Sequence, residues 1–329
     1  MGEGDTPVIS LPKLAKLLGV KEILAKAEYL NPTGSYKDRI ALATMEYALK
    51  NNYRGWLGTS SGNSGAAMAA YGARAGIPGI LCVLDDTPPE KLRSIHPYGV
   101  LLLPVRNLGL AEMEKLFTLA QEENLILTIT AYAYNREGMQ GAEKIGEEIA
   151  TTHSPTHVYV PTGGGGLLVA VATGLIRKGS SAKVICAQPA GCSPISKYLA
   201  GEISEPLINH CDTKISGVQL PQPPDGIRAS ELVRASNGWG IGATDDDIWE
   251  AQLLLAQVEG VFVEPASALA LAALRLDILL GKVSATDSPM IILTGHGLKD
   301  LRRFGGKISS NNSPIAIDDV SQLVRHWLK

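Results

Sequence analysis

Short apolar runs alternate along the chain with longer amphipathic or alanine-rich stretches. This is the pattern of repeated strand–helix units that pair into parallel sheets. The runs Ile80–Leu84, Val100–Val105, Leu125–Ile129, His157–Val160, Lys183–Ala187 and Met290–Leu293 predict strands, with helices between them. Ser64–Ala75 is alanine-rich and stops at Gly76 with Pro78 beyond it, a helix C-terminal signal. Pro89–Ser94 places a proline near its first turn. Thr244 followed by Asp245, Asp246 and Asp247 reads as a cap with an acidic first turn, opening a helix to about Val258. Near the end, Ile317, Val320, Leu323, Val324, Trp327 and Leu328 share one helical face, which predicts a terminal helix docked on the body or on a second subunit. Thr213–Asn237, rich in proline and glycine around Leu220–Gly226, is expected to be a covering loop, and Lys307–Pro314 a surface turn.

Composition narrows the class. The 329 residues suggest about two domains, each able to bury a core. A formal net charge of −3 and no long Lys/Arg run argue against nucleic acid or an anionic membrane as main partner. No apolar run reaches the ~18 residues of a membrane span; the most apolar stretch, Ala266–Leu280, is broken by Arg275 and Asp277. The first residues lack the basic and apolar regions of a signal peptide, and the chain starts just before Thr6-Pro7, so a cytoplasmic protein without a regulatory extension is expected. Cys82, Cys186, Cys192 and Cys211 have no CxxC spacing, which signals neither a metal site nor a disulfide framework; Cys192 and Cys211, beside loops, are the candidates for reactivity. His96, His153, His157 and His210 fall at turns or element ends without ligand spacing and read as structural.

Four constellations carry chemistry. Asn31-Pro-Thr-Gly-Ser-Tyr-Lys37-Asp-Arg39 puts a lysine at a loop-to-helix junction, where such amines can act as Schiff-base nucleophiles. Gly58-Thr-Ser60-Ser61-Gly-Asn63-Ser64-Gly65 opens the alanine-rich helix with hydroxyls, an amide and backbone N–H groups suited to a carboxylate. A strand ending at Val160 runs through Pro161-Thr162 into Gly163, Gly164, Gly165 and Gly166 and then a helix, a turn able to wrap a phosphate. Leu167 and Leu168 stand where a P-loop needs its Lys-Ser/Thr pair, and Leu168 where the dinucleotide fingerprint needs its third glycine, so the phosphate belongs to neither ATP nor NAD. Thr294-Gly-His296-Gly-Leu-Lys-Asp300 follows the last strand, at the carboxyl edge where open α/β sheets bind ligands. Taken singly, the first, second and fourth read more plainly as a solvated first turn, ordinary capping and a structural turn. Their order along one chain gives them weight.

Together these are the parts of a pyridoxal phosphate site. From Thr6-Pro7 to Asp300 the chain resembles the fold-type II pyridoxal-phosphate enzymes, the tryptophan synthase β-like group, on the strength of Asn31–Arg39, Glu264-Pro-Ala-Ser-Ala268 and Thr294–Asp300. Within that group it is most similar to the threonine synthases; threonine dehydratases and cysteine synthases share the earlier motifs. The resemblance implies an α/β protein of two open twisted-sheet domains with the cofactor in the cleft between them. Residues 1–42 plus 155–329 would form the large cofactor-binding domain and 43–154 the small mobile substrate-binding domain, in a homodimer. Lys37 would carry the cofactor as a Schiff base and move protons, Asn63 would bond its ring hydroxyl, Gly163–Gly166 would cradle its phosphate, and Thr294 would bond its ring nitrogen. Ser60, Ser61 and Ser64 would hold the substrate carboxylate. An uncharged hydroxyl at the ring nitrogen makes a weaker electron sink than a carboxylate partner would, favouring elimination over transamination.

The implied reaction converts O-phospho-L-homoserine and water to L-threonine and phosphate. One segment departs from the pattern. Threonine synthases carry Asn-Pro-aromatic-Arg-x-Glu-Gly-Gln-Lys-Thr where this chain reads Tyr134-Asn135-Arg136-Glu137-Gly138-Met139-Gln140-Gly141, leaving Arg136 one position out and no lysine. Charge-assisted bonds to the leaving phosphate are worth roughly 1.5–3 kcal/mol each, so Arg136, Lys91 or Arg93 is expected to stand in. The competing expectation is a β-elimination or β-replacement enzyme for serine, threonine or O-phosphoserine. A silent binding protein would have no reason to keep Lys37, Asn63, the glycines and Thr294 together.

Overall fold

The computed structural model describes residues 1–304, 317, 320 and 324–326. Strands form at Val8–Ser10 (β1), Leu24–Lys26 (β2), Gly55–Gly58 (β3), Gly79–Leu84 (β4), Leu101–Val105 (β5), Leu125–Leu127 (β6), His157–Pro161 (β7), Lys183–Pro189 (β8), Gly240–Ala243 (β9) and Pro289–Ile292 (β10). The helices are Pro12–Leu18 (α1), Lys37–Lys50 (α2), Asn63–Ala75 (α3), Pro89–Leu92 (α4), Leu110–Glu122 (α5), Arg136–Thr152 (α6), Gly166–Arg177 (α7), Pro194–Leu199 (α8), Gly226–Ala235 (α9), Asp245–Glu259 (α10) and Pro265–Leu279 (α11). One sheet has the order β1-β2-β10-β7-β8-β9 and is parallel except where β1 meets β2; the other, β5-β4-β3-β6, is parallel throughout. Both faces of the large sheet are covered, so β7 and β10 are buried along their whole length and read as continuous apolar runs rather than alternations. The expected α/β architecture of two open sheets is present.

Every expected strand forms, with small shifts at its ends. The strands that had no apolar run to announce them are the short ones. Gly55–Gly58 forms a buried central strand even though glycine disfavours strands, because Cβ atoms at Gly55 and Gly58 would press on the Pro78 carbonyl and the Thr128 hydroxyl. The expected covering loop Thr213–Asn237 contains α9. The helix expected at Pro89–Ser94 ends at Leu92. Of the terminal helix, Leu323, Trp327 and Leu328 lie outside the described residues, as do the 307–314 residues of the expected surface turn. Ile317 and Val324 are 80% and 47% exposed.

The cysteines require a correction. Cys192 and Cys211, expected as free thiols, are joined in a disulfide with Cα atoms 4.6 Å apart, while Cys82 and Cys186 are buried thiols. Spacing gave no sign of it because the pairing is made by the fold: Asp212 N–H donates to the Gly191 carbonyl at 2.8 Å, which lays the loop after α8 along the end of β8.

The helices that position the site are locked together by glycines. A Cβ at Gly141 would collide with the Arg39 carbonyl of α2, and Cβ atoms at Gly146 and Gly174 would collide with backbone carbonyls across the α6–α7 crossing. Asn135 caps α6, accepting from Gly138 N–H at 3.1 Å and donating to the Thr44 hydroxyl of α2 at 2.8 Å. No helix among the described residues is long and apolar enough to cross a membrane.

Candidate active site

The turn before α2 is built by its own polar residues. Gly34, at φ +85°, closes onto the Asn31 carbonyl, and both the N–H (2.6 Å) and the hydroxyl of Thr33 donate to the Asp38 carboxylate. Burial raises the Asp38 carboxyl, opposed by these bonds and by the charge of Lys299. Beneath the turn, Arg39 donates to Glu28 at 2.8 Å and to Glu148 at 2.5 and 2.7 Å, and Lys26 donates to Glu148 at 2.6 Å. Burial would raise the Glu148 carboxyl, but the bonds and charges of Arg39 and Lys26 hold it below the usual range. This buried charge cluster fixes the start of α2.

Lys37 is the first residue of that helix. Its Nζ donates to the Thr130 hydroxyl at 2.7 Å and lies 4.5 Å from the centre of the Tyr36 ring. Tyr36 N–H donates to the Thr294 carbonyl at 3.1 Å, and Ser35 bridges Gly295, so Lys37 is held beside the carboxyl end of β10. Thr294 is buried, its N–H donates to the Ser267 hydroxyl at 2.9 Å, and its own hydroxyl has no partner among the described residues. His296 accepts from Leu298 N–H at 3.2 Å and shapes the turn that follows, a structural role.

Asn63 opens α3, and its Nδ2 donates to Glu264 at 2.7 Å. Glu264 lies over Gly295, where any Cβ would collide with its carboxylate. Burial pushes the Glu264 carboxyl up to about 7, against the opposing Asn63 bond and Lys299 charge. Around Asn63, the N–H groups of Asn63, Ser64 and Gly65 and the hydroxyls of Ser61 and Ser64 find no acceptor among the described residues; the Ser60 hydroxyl accepts from Gly62 N–H at 3.4 Å. Such a set of free donors at a helix N-terminus suits a carboxylate.

The glycine turn between β7 and α7 is the second such set. Gly165 sits at φ +90°, a left-handed conformation, and the N–H groups from Gly163 to Leu168 donate to no acceptor among the described residues. Side chains would be crowded there because the 217–225 loop lies against it: Cβ atoms at Gly163 and Gly164 would come 3.1–3.3 Å from Gly217, Val218, Leu220 and Pro224. Asp225 N–H donates to the Gly164 carbonyl at 3.0 Å. A phosphate at one helix N-terminus, a carboxylate at the other, an amine beside them and an unpartnered buried hydroxyl at the edge of β10 are what pyridoxal phosphate and an amino acid require. The residues present fit the cofactor.

Intervening residues thus relate these groups: Tyr36 ties the Lys37 turn to Thr294, Thr130 stands between the Lys37 amine and Gly166, and Glu264 bonds Asn63 over Gly295, with Ser60, Ser61 and Ser64 around the start of α3. Arg136, by contrast, is exposed at the start of α6, and its side chain makes no hydrogen bond among the described residues. Lys91 reaches the Ser216 hydroxyl at 3.4 Å, beside the loop that covers the glycines. Thr130 and Asp225 had no signal in the sequence: each is a common residue in a segment without a motif, brought to the site by chain folding. Glu264 lies in a quoted motif, and only the structure pairs it with Asn63.

Residues 1–295 match the family model described as pyridoxal-phosphate dependent enzyme. A threonine synthase of Methanosarcina acetivorans is 31% identical over 309 residues, 91% of this chain and 76% of that protein. One of Halalkalibacterium halodurans is 31% identical over 98% of this chain and 90% of its own length, and one of Mycobacterium leprae 32% identical over 97% and 88%. Among solved structures, maize serine racemase superposes with a TM-score of 0.78 at 22% identity, covering 98% of this chain and 92% of that one. Tomato threonine deaminase isoform 2 gives 0.77 at 19%, covering 97% and 82%. With its two α/β sheets and a family model that matches residues 1–295, the chain belongs to the fold-type II pyridoxal-phosphate-dependent enzymes.

Proposed function

We propose that the chain is a threonine synthase-like lyase that converts O-phospho-L-homoserine and water to L-threonine and phosphate. The observation that carries this reading is the Lys37 amine held against Thr130, in the residue after Tyr36, whose N–H bonds the Thr294 carbonyl, in a chain about 31% identical to threonine synthases over nearly its whole length. Pyridoxal phosphate, when bound, supplies the electron sink that makes protons on the substrate's α and β carbons removable. Lys37 would hold the cofactor and, as a free amine during turnover, its Nζ would take the α proton, give that proton up again, and only then take a β proton. The free donors of Ser61, Asn63, Ser64 and Gly65 orient the carboxylate, so the Cα–H bond faces that amine. Glu264 fixes the Asn63 amide toward the ring hydroxyl. Thr294 offers the ring nitrogen an uncharged hydroxyl. Lys91 is the cation proposed for the departing phosphate, since its Nζ lies at the Ser216 hydroxyl beside the glycine cover.

One observation favours the second reading, β-elimination or β-replacement on serine, threonine or O-phosphoserine. In the segment where threonine synthases carry arginine and lysine, Asn135 is buried as a helix cap, Met139 is buried, and Arg136 faces solvent. That segment directs no cation inward. Incubation of the holoenzyme with each candidate, following phosphate and threonine against keto acid and ammonia, separates the two. Phosphate and threonine from phosphohomoserine support the first reading; keto acid from serine or threonine, with phosphohomoserine inert, replaces it with the second.

A further inference from the structure

The hydrogen bond that Lys37 makes to Thr130 depends on a turn beyond the end of a strand. β6 ends at Leu127, and residues 128–135 run from it to α6 as irregular chain, tied to β3 at one end by Thr128 N–H on the Leu57 carbonyl at 2.9 Å and to α2 at the other by Asn135 on the Thr44 hydroxyl at 2.8 Å. Between these ends the Tyr132 N–H donates to the Asp225 carboxylate at 2.9 Å. The Thr130 carbonyl packs against Gly166: a Cβ there would meet it at 3.2 Å and the Asp225 Oδ2 at 3.1 Å. Asp225 is itself fixed to the glycine turn, because its N–H donates to Gly164 and its backbone comes within 3.0 Å of where a Gly165 Cβ would stand. It is 5% exposed. One buried residue therefore joins the two turns, its carboxylate accepting from the Tyr132 N–H and its backbone N–H donating to Gly164 of the glycine turn.

We propose that Asp225 is a positioning residue for Lys37, acting through the 130–133 turn to hold the Thr130 hydroxyl at the lysine amine. The proposal rests on the reading of Lys37 as the cofactor lysine. The hydroxyl accepts a hydrogen bond from the amine, and in the holoenzyme it would accept one from a protonated Schiff-base nitrogen, the form such a bond favours. The charged and titratable groups facing Asp225 are Arg228, whose guanidinium lies 4.5 Å from the centre of the Tyr132 ring, and Tyr132, whose hydroxyl donates to Glu143 at 2.8 Å. Those facing Lys37 are Tyr36 and, on the same turn, Asp38, which is turned away to Thr33.

The test is the pH titration of the cofactor's visible absorption band in holoenzyme variants, with cofactor affinity measured alongside. Borohydride reduction and peptide mass mapping first identify the lysine that carries the cofactor. A label on another lysine overturns the reading of Lys37 itself and is distinguishable from every outcome below. Thr130→Val is expected to lower the midpoint of the band by about one pH unit, the size of one lost bond to a charged group, and Thr130→Ser to restore it. Asp225→Ala is expected to lower the midpoint in the same direction, and the double variant no further than the larger single change. Asp225→Asn, which keeps the shape and one acceptor, is expected to fall between wild type and Asp225→Ala and serves if the alanine variant does not fold. kcat is expected to fall about tenfold with KM little changed, because orientation of the amine and not substrate binding is affected. The proposal is overturned if the Asp225 variants weaken cofactor binding with the midpoint unmoved, or if the two substitutions shift it additively.

Discussion

Glu264 is a carboxyl that titrates where most do not. Buried over Gly295, it is pushed up to about 7 by loss of solvent, against the bond from Asn63. Its folded value lies above the unfolded one near 4.3, so its contribution to stability is full below about pH 4.3 and is lost as pH rises through about 7. The apoprotein is expected to lose on the order of 2 kcal/mol between pH 5 and 8, and Glu264→Gln to flatten that slope, as read by urea unfolding at each pH. Arg39 has the opposite situation. It neutralises two buried or half-buried carboxylates, Glu28 and Glu148, and its removal leaves Glu28 without its ion-pair partner and Glu148 with Lys26 alone. Arg39→Met is expected to destabilise by about 3–5 kcal/mol in the same assay. A loss below about 1 kcal/mol would mean that Lys26 alone suffices for both.

Among the elements, α2, α6 and α7 form the frame that relates lysine to phosphate turn. The α6–α7 crossing is set by Gly146 and Gly174, each of which faces backbone rather than a movable side chain. Gly146→Val can be accommodated only by spreading the helices, so a cost of at least about 3 kcal/mol is expected, read as a fall in Tm. The covering segment between α8 and α9 has a different support. The Cys192–Cys211 disulfide closes a loop with a sequence separation of 19 in the stretch leading to Asp225. By chain entropy such a closure contributes about 3 kcal/mol. Cys211→Ser should lower Tm, and reductant should lower the wild-type Tm to match while leaving the variant unmoved. Equal Tm values for oxidised wild type and variant would remove the disulfide from the account of stability.

For the whole molecule, the two sheets meet where Lys91, on the helix after β4, reaches Ser216 on the cover of the glycine turn. A lysine in that position can fix a distal anion and draw the two parts together over the substrate. Lys91→Ala is expected to raise KM for phosphohomoserine about tenfold or more, the effect of one charge-assisted bond, with little change for serine. An unchanged KM for phosphohomoserine would take Lys91 out of the site.

The sequence by itself marked a parallel α/β protein, because buried parallel strands must be continuous apolar runs and the helices between them amphipathic; the division into two open sheets was implied by the family resemblance. It also marked Lys37, Asn63, the four glycines and Thr294, since chemistry at a helix start or strand end demands particular residue types at fixed spacing. What lay beyond it depends on distance across the chain. Thr130 and Asp225 are ordinary residues whose importance comes only from neighbours more than 60 positions away, and the pairing of Glu264 with Asn63 likewise spans the chain. The disulfide comes from a backbone pairing between Gly191 and Asp212, and β3 forms from glycines because its neighbours leave no room for side chains. Arg136 stood in a suggestive segment, yet capping by Asn135 turned that segment's polar group inward and left the guanidinium in solvent. Local pattern specifies elements and the residues at their ends; which of those ends share a cleft, and what holds them at bonding distance, is decided by packing.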